Sequence, residues 1–245
     1  MQATPPASDA GGVLTIADDL MRVFVTGGTG YLGASAIAAL LARGHEVHAL
    51  VRGGSQHKLP SGAIATIGDA LDAATFMHVV HRGDTLLHLV GTPKPSPWKA
   101  KEFERVDLGS IQQSTHVAQK RAVAHVVHLS VAHPAPIMRA YLAVRTRGEA
   151  LLAESGVPFT ALRPWYVLGP GHYWPYALVP LYAICRALPF SRNAAARLGL
   201  VTHRQMIAAI VNAIEVAPFA GARIVEAPAI ATSRLTRQPP TTSST

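Results

Sequence analysis

The sequence has few cysteines, few charged or aromatic residues and no long uninterrupted apolar run. One cysteine in 245 residues excludes an internal disulfide framework and is typical of a reducing compartment. No segment reaches the roughly 20 consecutive apolar residues that cross a bilayer. The Gly-x-Ser-x-Gly pattern of α/β-hydrolases is also missing, which argues against a serine hydrolase of that type.

Acidic residues are in the minority. Lysine and arginine total 22 against 14 aspartates and glutamates, so the net charge is +8. The basic residues are scattered, and no zinc-finger, helix-turn-helix or RNP pattern accompanies them. We therefore expect the basic protein to bind a small anionic cofactor and not a nucleic acid.

Histidine is plentiful, with 12 residues that include the close pairs His78/His81 and His125/His128. Neither pair has a convincing third ligand in the sequence. Residues three apart on a strand face opposite sides, so His125 and His128 cannot chelate one ion from a regular strand. We expect no metal site.

The two ends differ in composition from the middle. Residues 1–20 are small and polar and lack the basic and apolar regions of a signal peptide, while residues 231–245 end in prolines, threonines and serines. We expect a disordered leader over 1–20, one domain over 21–230 and a disordered tail over 231–245, in a cytoplasmic protein without a transmembrane segment. Met1 and Met21 both stay open as the start, and the oligomeric state is not predicted.

Short β-branched runs alternate with amphipathic helical patterns along the chain. This alternation predicts an α/β fold, a Rossmann-type doubly wound parallel sheet with a small C-terminal helical substrate region at about 165–230. The helix between the first two strands should stop at Gly44, and Thr202 with Gln205 has capping-box spacing. The predicted strands are Val23 to Thr26, Glu46 to Val51, Ile64 to Ile67, Thr85 to Val90, His125 to Ser130, Phe159 to Leu162 and Arg223 to Glu226.

A glycine-rich turn follows the first strand and opens the first helix. It reads Thr26-Gly27-Gly28-Thr29-Gly30-Tyr31-Leu32-Gly33. Such a turn presents backbone amides and a helix N-terminus to a diphosphate, and its glycines let the ligand approach the backbone closely. We therefore predict a dinucleotide site formed by Gly27, Thr29, Gly30, Tyr31, Leu32 and Gly33.

The end of the second strand indicates which dinucleotide is bound. An acidic residue there would bind the ribose hydroxyls of NAD, whereas an arginine accommodates the 2′-phosphate of NADP. The strand ends at Val51 and Arg52 follows, with Lys58 nearby. Arg52 favours NADP(H) over NAD(H).

These features together resemble the short-chain dehydrogenase/reductase superfamily, in its extended and atypical branches, including epimerase/dehydratase-like and isoflavone-reductase-like NAD(P)H-binding proteins. The resemblance spans roughly Arg22 to Ile230. It implies that Asp69 contacts the adenine and that Val90 and Gly91 run beside the riboses. The matching segments are the glycine turn, Gly68-Asp69, Leu89-Val90-Gly91, Leu129-Ser130, Tyr141-x-x-x-Arg145 and Leu162 to Gly171.

The family's chemistry uses a tyrosine, a lysine four residues later and a serine from the adjacent strand end. The resemblance implies that Tyr141 is the general acid/base and that Ser130 orients a substrate oxygen. The usual lysine is Arg145, which supplies charge and donors to a ribose but cannot relay a proton. A position that often holds asparagine is Asp107. On the alternative interpretation, Arg145 simply pairs with Glu149 one turn on.

Three functions stay open at this point. The first is an NADP-dependent oxidoreductase acting on a small, rather apolar carbonyl or unsaturated substrate, through Tyr141, Arg145 and Ser130. The second is a non-catalytic NAD(P)-binding redox sensor or assembly module, suggested by the missing lysine. The third is a sugar-nucleotide epimerase or dehydratase, which the short spacing from Ser130 to Tyr141 disfavours. Aromatic residues after Pro164 either line a substrate pocket or pack helices onto the sheet.

Overall fold

The structure, a computed structural model, describes residues 20–135, 137–169, 199–216 and 220–235. Seven strands form one parallel sheet in the order β3-β2-β1-β4-β5-β6-β9. A separate parallel pair joins β7 to β8. The strands are β1 Arg22–Thr26, β2 Glu46–Val51, β3 Ile64–Ile67, β4 Thr85–His88, β5 His125–Leu129, β6 Phe159–Arg163, β7 Tyr166–Leu168, β8 Leu200–Thr202 and β9 Ala222–Glu226.

Helices cover both faces of the large sheet. The middle helical segment begins as the short helix α2, passes through a π-helical stretch at Phe103–Leu108 and continues as α3. The helices are α1 Gly33–Leu41, α2 Ala100–Glu102, α3 Gly109–Arg121, α4 Arg139–Ser155, α5 His203–Glu215 and α6 Ala227–Thr232, with short 3₁₀ turns at Gln56–Lys58, Ala73–Thr75, Met77–Val79 and Pro97–Lys99. No helix of the described residues is long and apolar enough to cross a membrane.

Alternate residues of β1 explain the two-layer core. Val23 and Val25 pack on one side with α1 and α5, whereas Phe24 packs on the other with α3 and α4. Successive strand residues point to opposite faces, so a parallel strand buried on both sides is apolar throughout. The sheet is therefore buried on both faces, and its carboxyl edge is the place for a ligand crevice.

The predicted doubly wound parallel sheet is confirmed, and seven predicted strands correspond to seven strands of the large sheet. β4 and β5 end at His88 and Leu129, earlier than expected. The capping box is present: the Thr202 side chain accepts from the Gln205 backbone amide, and the Gln205 side-chain oxygen accepts from the Thr202 backbone amide. The pairing of β7 with β8 was not predicted. Tyr173, Trp174 and Tyr176 of the predicted substrate region lie outside the described residues.

Candidate cofactor and active site

The glycine turn lies against the end of β4. Gly27 has φ +80°, and a Cβ there would stand 2.7 Å from the carbonyl carbon of Leu89 and 2.9 Å from the Val90 nitrogen. A left-handed backbone without room for a side chain requires glycine. The turn and the segment Leu89 to Gly91 therefore form two adjacent walls at the carboxyl edge of the sheet.

The start of α1 is open towards this edge. Thr29, Gly30 and Tyr31 are exposed, and no side chain caps the helix N-terminus. A Cβ at Gly30 would meet only the Gly27 carbonyl oxygen, at 3.2 Å. The first amides of a helix have no intrahelical acceptor, so these can bind an anion. The turn therefore fits a diphosphate.

The other predicted cofactor residues lie at the same edge. Arg52 directly follows β2 and is exposed, and Asp69 follows β3, where its carboxylate accepts the Leu71 amide at 2.9 Å. Gly91 follows β4. Since β3, β2, β1 and β4 are neighbours in the sheet, the fold brings these positions into one row beside the glycine turn.

The second group of residues is built around α4. The guanidinium carbon of Arg145 stands 5.1 Å from the centre of the Tyr141 ring, and that ring also packs on Phe103. Arg145 is 5% exposed, donates from Nη1 to the Leu129 carbonyl at 2.7 Å and contacts Asp107 Oδ1 from Nη2 at 2.5 Å. Burial alone lowers the pKa of Arg145, but Tyr141 and Asp107 outweigh it, so the pKa is raised. A permanent cation therefore faces the Tyr141 ring.

Ser130 is directed to a different partner. It is 3% exposed, and its hydroxyl donates to Glu149 Oε1 at 2.5 Å. Glu149 also accepts from Arg163, whose Nε stands 3.0 Å from Oε1, and Arg163 reaches Glu226 at 3.0 Å. In this arrangement the Ser130 hydroxyl donates its only proton to a buried carboxylate. The structure thus brings Tyr141 and Arg145 together and places Ser130 in an adjoining network.

The alternative pairing of Arg145 with Glu149 is wrong. Arg145 pairs with Asp107, and Glu149 pairs with Arg163. Helical residues four apart share a face, but here each side chain finds a stronger buried partner on another element. Sequence reasoning missed Glu149 and Arg163 as partners. The spacing of Arg145 and Glu149 indicates only a shared helix face, and no signal in the sequence points to Arg163.

Three histidines of β4 and β5 are buried in the sheet. His88 bonds to Thr26 and Ser114 at 2.9 and 3.0 Å, and its ring centre is 5.4 Å from that of His128. Burial, then Arg145, lowers the pKa of His88 to about 3. Burial, then His88 and Arg145, lowers the pKa of His128 well below its usual value. His125, next to Thr160, has its pKa lowered to about 4 by burial and by Arg223.

These histidines are neutral core residues near neutral pH. Within the described part of the chain, no group of three or more histidine, cysteine, aspartate or glutamate side chains is arranged to hold a metal ion.

A cavity of about 210 Å³ adjoins Tyr141. Its lining is mostly apolar and includes one cation, Arg139. Met138, which precedes α4, has φ +60°, a conformation that residues other than glycine adopt rarely and mainly where the surroundings impose it. The lining residues are Pro97, Phe103, Met138, Arg139, Ala140 and Tyr141.

Comparison with known families agrees with this geometry. The family model described as NAD(P)H-binding matches residues 27–171, from the glycine turn past the end of β7. The chain belongs to the NAD(P)H-binding family. Its fold is that of short-chain dehydrogenase/reductase superfamily proteins, and its cofactor is a nicotinamide dinucleotide.

Curated relatives of this NAD(P)H-binding chain include reductases and dehydrogenases. A 4-hydroxy-2-methyl-3-oxo-4-farnesyl-3,4-dihydroquinoline-1-oxide ketoreductase of Stigmatella aurantiaca is 31% identical over 171 residues, which are 61% of this chain and 51% of the relative. A 3-beta-hydroxysteroid dehydrogenase of Mycolicibacterium neoaurum is 28% identical over 46% of this chain and 33% of the relative. The chain thus spans about half or less of the length of these relatives.

Solved structures show the same fold at low identity. WbmG of Bordetella bronchiseptica in complex with NAD matches with a TM-score of 0.61 and 21% identity, over 84% of this chain and 72% of that one. A short-chain dehydrogenase/reductase superfamily protein of Agrobacterium tumefaciens with bound NAD matches with a TM-score of 0.62 and 17% identity, over 84% and 77%. The NAD(P)H-binding chain therefore has the overall architecture of these proteins.

Proposed function

We propose that this protein is an NADP-dependent oxidoreductase that acts on a carbonyl or other unsaturated group of a small, rather apolar molecule. The observation that carries the proposal is the position of Tyr141. Its ring lies beside the buried Arg145, and it lines a cavity. Arg145 also contacts Asp107, which accepts a hydrogen bond from the Thr92 amide next to Gly91. NADPH, when bound, supplies the hydride. Oxidation of NADPH with a panel of carbonyl and quinone compounds tests the proposal.

Each residue has a distinct role in this proposal. The glycine turn binds the diphosphate, and Gly91 borders the ribose. Tyr141 transfers a proton to or from the substrate oxygen, and the cationic face of Arg145 favours the charged form of a phenol. Ser130 orients the substrate oxygen only after its hydroxyl leaves Glu149, because one hydroxyl has a single proton to donate.

The cavity beside Tyr141 supports an apolar substrate. Four of its lining residues are Pro97, Phe103, Met138 and Ala140, and the volume of about 210 Å³ matches a ring-sized portion of a molecule. Apolar pockets with a few placed polar groups are the usual form of small-molecule sites. The ketoreductase and the steroid dehydrogenase among the relatives have largely hydrocarbon substrates by name, which agrees with this lining.

Gly30→Val is expected to abolish NADPH binding. A Cβ at this position already approaches the Gly27 carbonyl at 3.2 Å, and the branched side chain would extend into the space where the diphosphate approaches the amides of α1. Isothermal titration calorimetry measures the loss. Ala38→Val, on the exposed face of α1, is the control and should bind normally. Wild-type affinity in Gly30→Val would refute the proposed site.

Arg52→Asp is expected to reverse part of the cofactor preference. The change removes the partner of the 2′-phosphate and introduces repulsion. A charged hydrogen bond is worth about 1.5 to 3 kcal/mol, so NADPH should bind roughly tenfold or more weakly while NADH changes little. Paired NADPH and NADH titrations measure this, with the exposed Arg82→Asp as the control. If the selectivity for NADPH over NADH is unchanged, another residue determines it, and Lys58 is the next candidate.

A second candidate function is a non-catalytic NADP-binding module. The observation that favours it is that the Ser130 hydroxyl is held by Glu149. Such a module would bind NADPH with the dependence on Gly30 and Arg52 described above, and it would oxidise NADPH with no member of the substrate panel.

A further inference from the structure

Asp107 and Arg145 form the most deeply buried ion pair of the described residues. Their side chains are 1% and 6% exposed. Asp107 lies in the π-helical turn before α3, and Arg145 lies on α4. A buried pair is retained at a cost in desolvation, so its geometry and its other hydrogen bonds decide what it does.

The carboxylate of Asp107 also holds the segment after β4. Its Oδ2 accepts from the Thr92 amide at 3.0 Å and from the Thr92 hydroxyl at 2.6 Å, while Oδ1 contacts Arg145. The guanidinium itself lies against Gly91, where a Cβ would clash with Nη2. One carboxylate therefore connects the cofactor wall at Gly91 and Thr92 to the arginine under Tyr141.

The guanidinium is directed towards protein acceptors. Nη1 donates to the Leu129 carbonyl, Nη2 contacts Asp107, and Cζ stands 5.1 Å from the centre of the Tyr141 ring. Nε is buried without a hydrogen-bond partner. Arg145 thus contacts β5, the π-helical turn and Tyr141 at once.

We propose that Asp107 is a positioning residue, matched to Arg145 as one charge pair that fixes the Gly91 and Thr92 wall relative to Tyr141. Arg145 acts through this pair and not as a direct ligand of the nicotinamide ribose. The proposal rests on the function proposed above, in which Gly91 borders the cofactor and Tyr141 transfers the proton. We expect neutral side chains to be tolerated at both positions together but not at one position alone, because a single substitution leaves a buried charge without its partner.

The test compares Asp107→Asn, Arg145→Gln and the double variant with the wild type. Three quantities are measured: the melting temperature without cofactor, the NADPH affinity by calorimetry, and the turnover. The matched control is the exposed pair Glu104 and Arg147, which joins the same π-helical turn to α4 at 2.8 Å with side chains 52% and 57% exposed. Glu104→Gln, Arg147→Gln and their double should change none of the three.

Each single variant is expected to melt at a lower temperature and to bind NADPH roughly tenfold more weakly, within the usual range of coupling between sites. The double variant carries no buried charge. It should regain most of the melting temperature and of the NADPH affinity. Turnover should stay low, since Tyr141 no longer faces a cation. Arg145→Lys keeps the charge pair and should bind NADPH more tightly than Arg145→Gln.

Two results would overturn the proposal. If Arg145→Gln weakens NADPH equally with and without Asp107→Asn, Arg145 binds the cofactor directly. If the variants change the melting temperature but none changes the NADPH affinity, the pair only stabilises the fold. A wild-type protein without turnover would contradict the proposed function instead, while the melting and binding measurements would still decide the role of Asp107.

Discussion

Tyr141→Phe is expected to lower turnover by roughly 10² to 10⁴, the usual contribution of a general acid, while NADPH affinity stays close to that of the wild type. The substitution removes one hydroxyl and keeps the ring that packs on Phe103 and faces Arg145. The cation–π contact and the apolar packing of α4 are therefore retained. Steady-state kinetics and calorimetry on the same preparation measure the two quantities.

The contrast between binding and chemistry makes this variant informative. A loss of turnover together with a loss of NADPH affinity would mean that the hydroxyl helps to build the cofactor site. Full activity in Tyr141→Phe would show that another group supplies the proton. Comparison with Ser130→Ala separates the two hydroxyls, because Ser130 donates to the buried Glu149 and its loss should also lower the melting temperature.

The free energy of unfolding is expected to fall steeply as the pH drops below about 6.5, the ordinary pKa of histidine. His88, His125 and His128 are almost fully buried, and burial lowers the pKa of each, to about 3 for His88 and about 4 for His125. Below pH 6.5 the unfolded chain binds protons that the folded chain excludes. Each histidine then removes about 1.4 kcal/mol of stability per pH unit until its own folded pKa is reached.

Denaturant unfolding between pH 7 and pH 4.5 measures this dependence. His128→Leu is expected to flatten it by about one proton and to raise stability at pH 5, because both ring nitrogens of His128 are buried without a hydrogen-bond partner. His116→Leu, on the exposed side of α3, is the control and should keep the wild-type slope. A slope unchanged by His128→Leu would mean that this histidine accepts a proton in the folded state.

The glycine turn and the capping box of α5 could be predicted because both are local. Gly27 requires a positive φ, and Thr202 bonds to a residue three positions away, so neighbours in the chain specify the conformation. The alternation of apolar strands and helices predicted a doubly wound parallel sheet, because a right-handed crossover through a helix is the usual connection between parallel strands. These rules depend little on the specific tertiary contacts between side chains.

The partners of Arg145 and Ser130 could not be predicted in the same way. Arg145 had Glu149 four residues on, yet it pairs with Asp107 from a different element. Glu149 is instead bound by Arg163 at the end of β6. Helix spacing shows which side chains share a face, but tertiary packing decides which charges are buried together. The π-helical turn that presents Asp107 likewise has no signature in the sequence.

Transfer of a labelled hydride tests the central claim most directly. The protein is incubated with NADPH that carries deuterium at both C4 positions of the nicotinamide, together with the carbonyl compounds of the panel, whose reduced carbon retains the label, and the products are examined by mass spectrometry. We expect deuterium in at least one reduced product with the wild type, and much less with Tyr141→Phe. Tight binding of NADPH without label in any product of the wild type would contradict an oxidoreductase and favour the non-catalytic module.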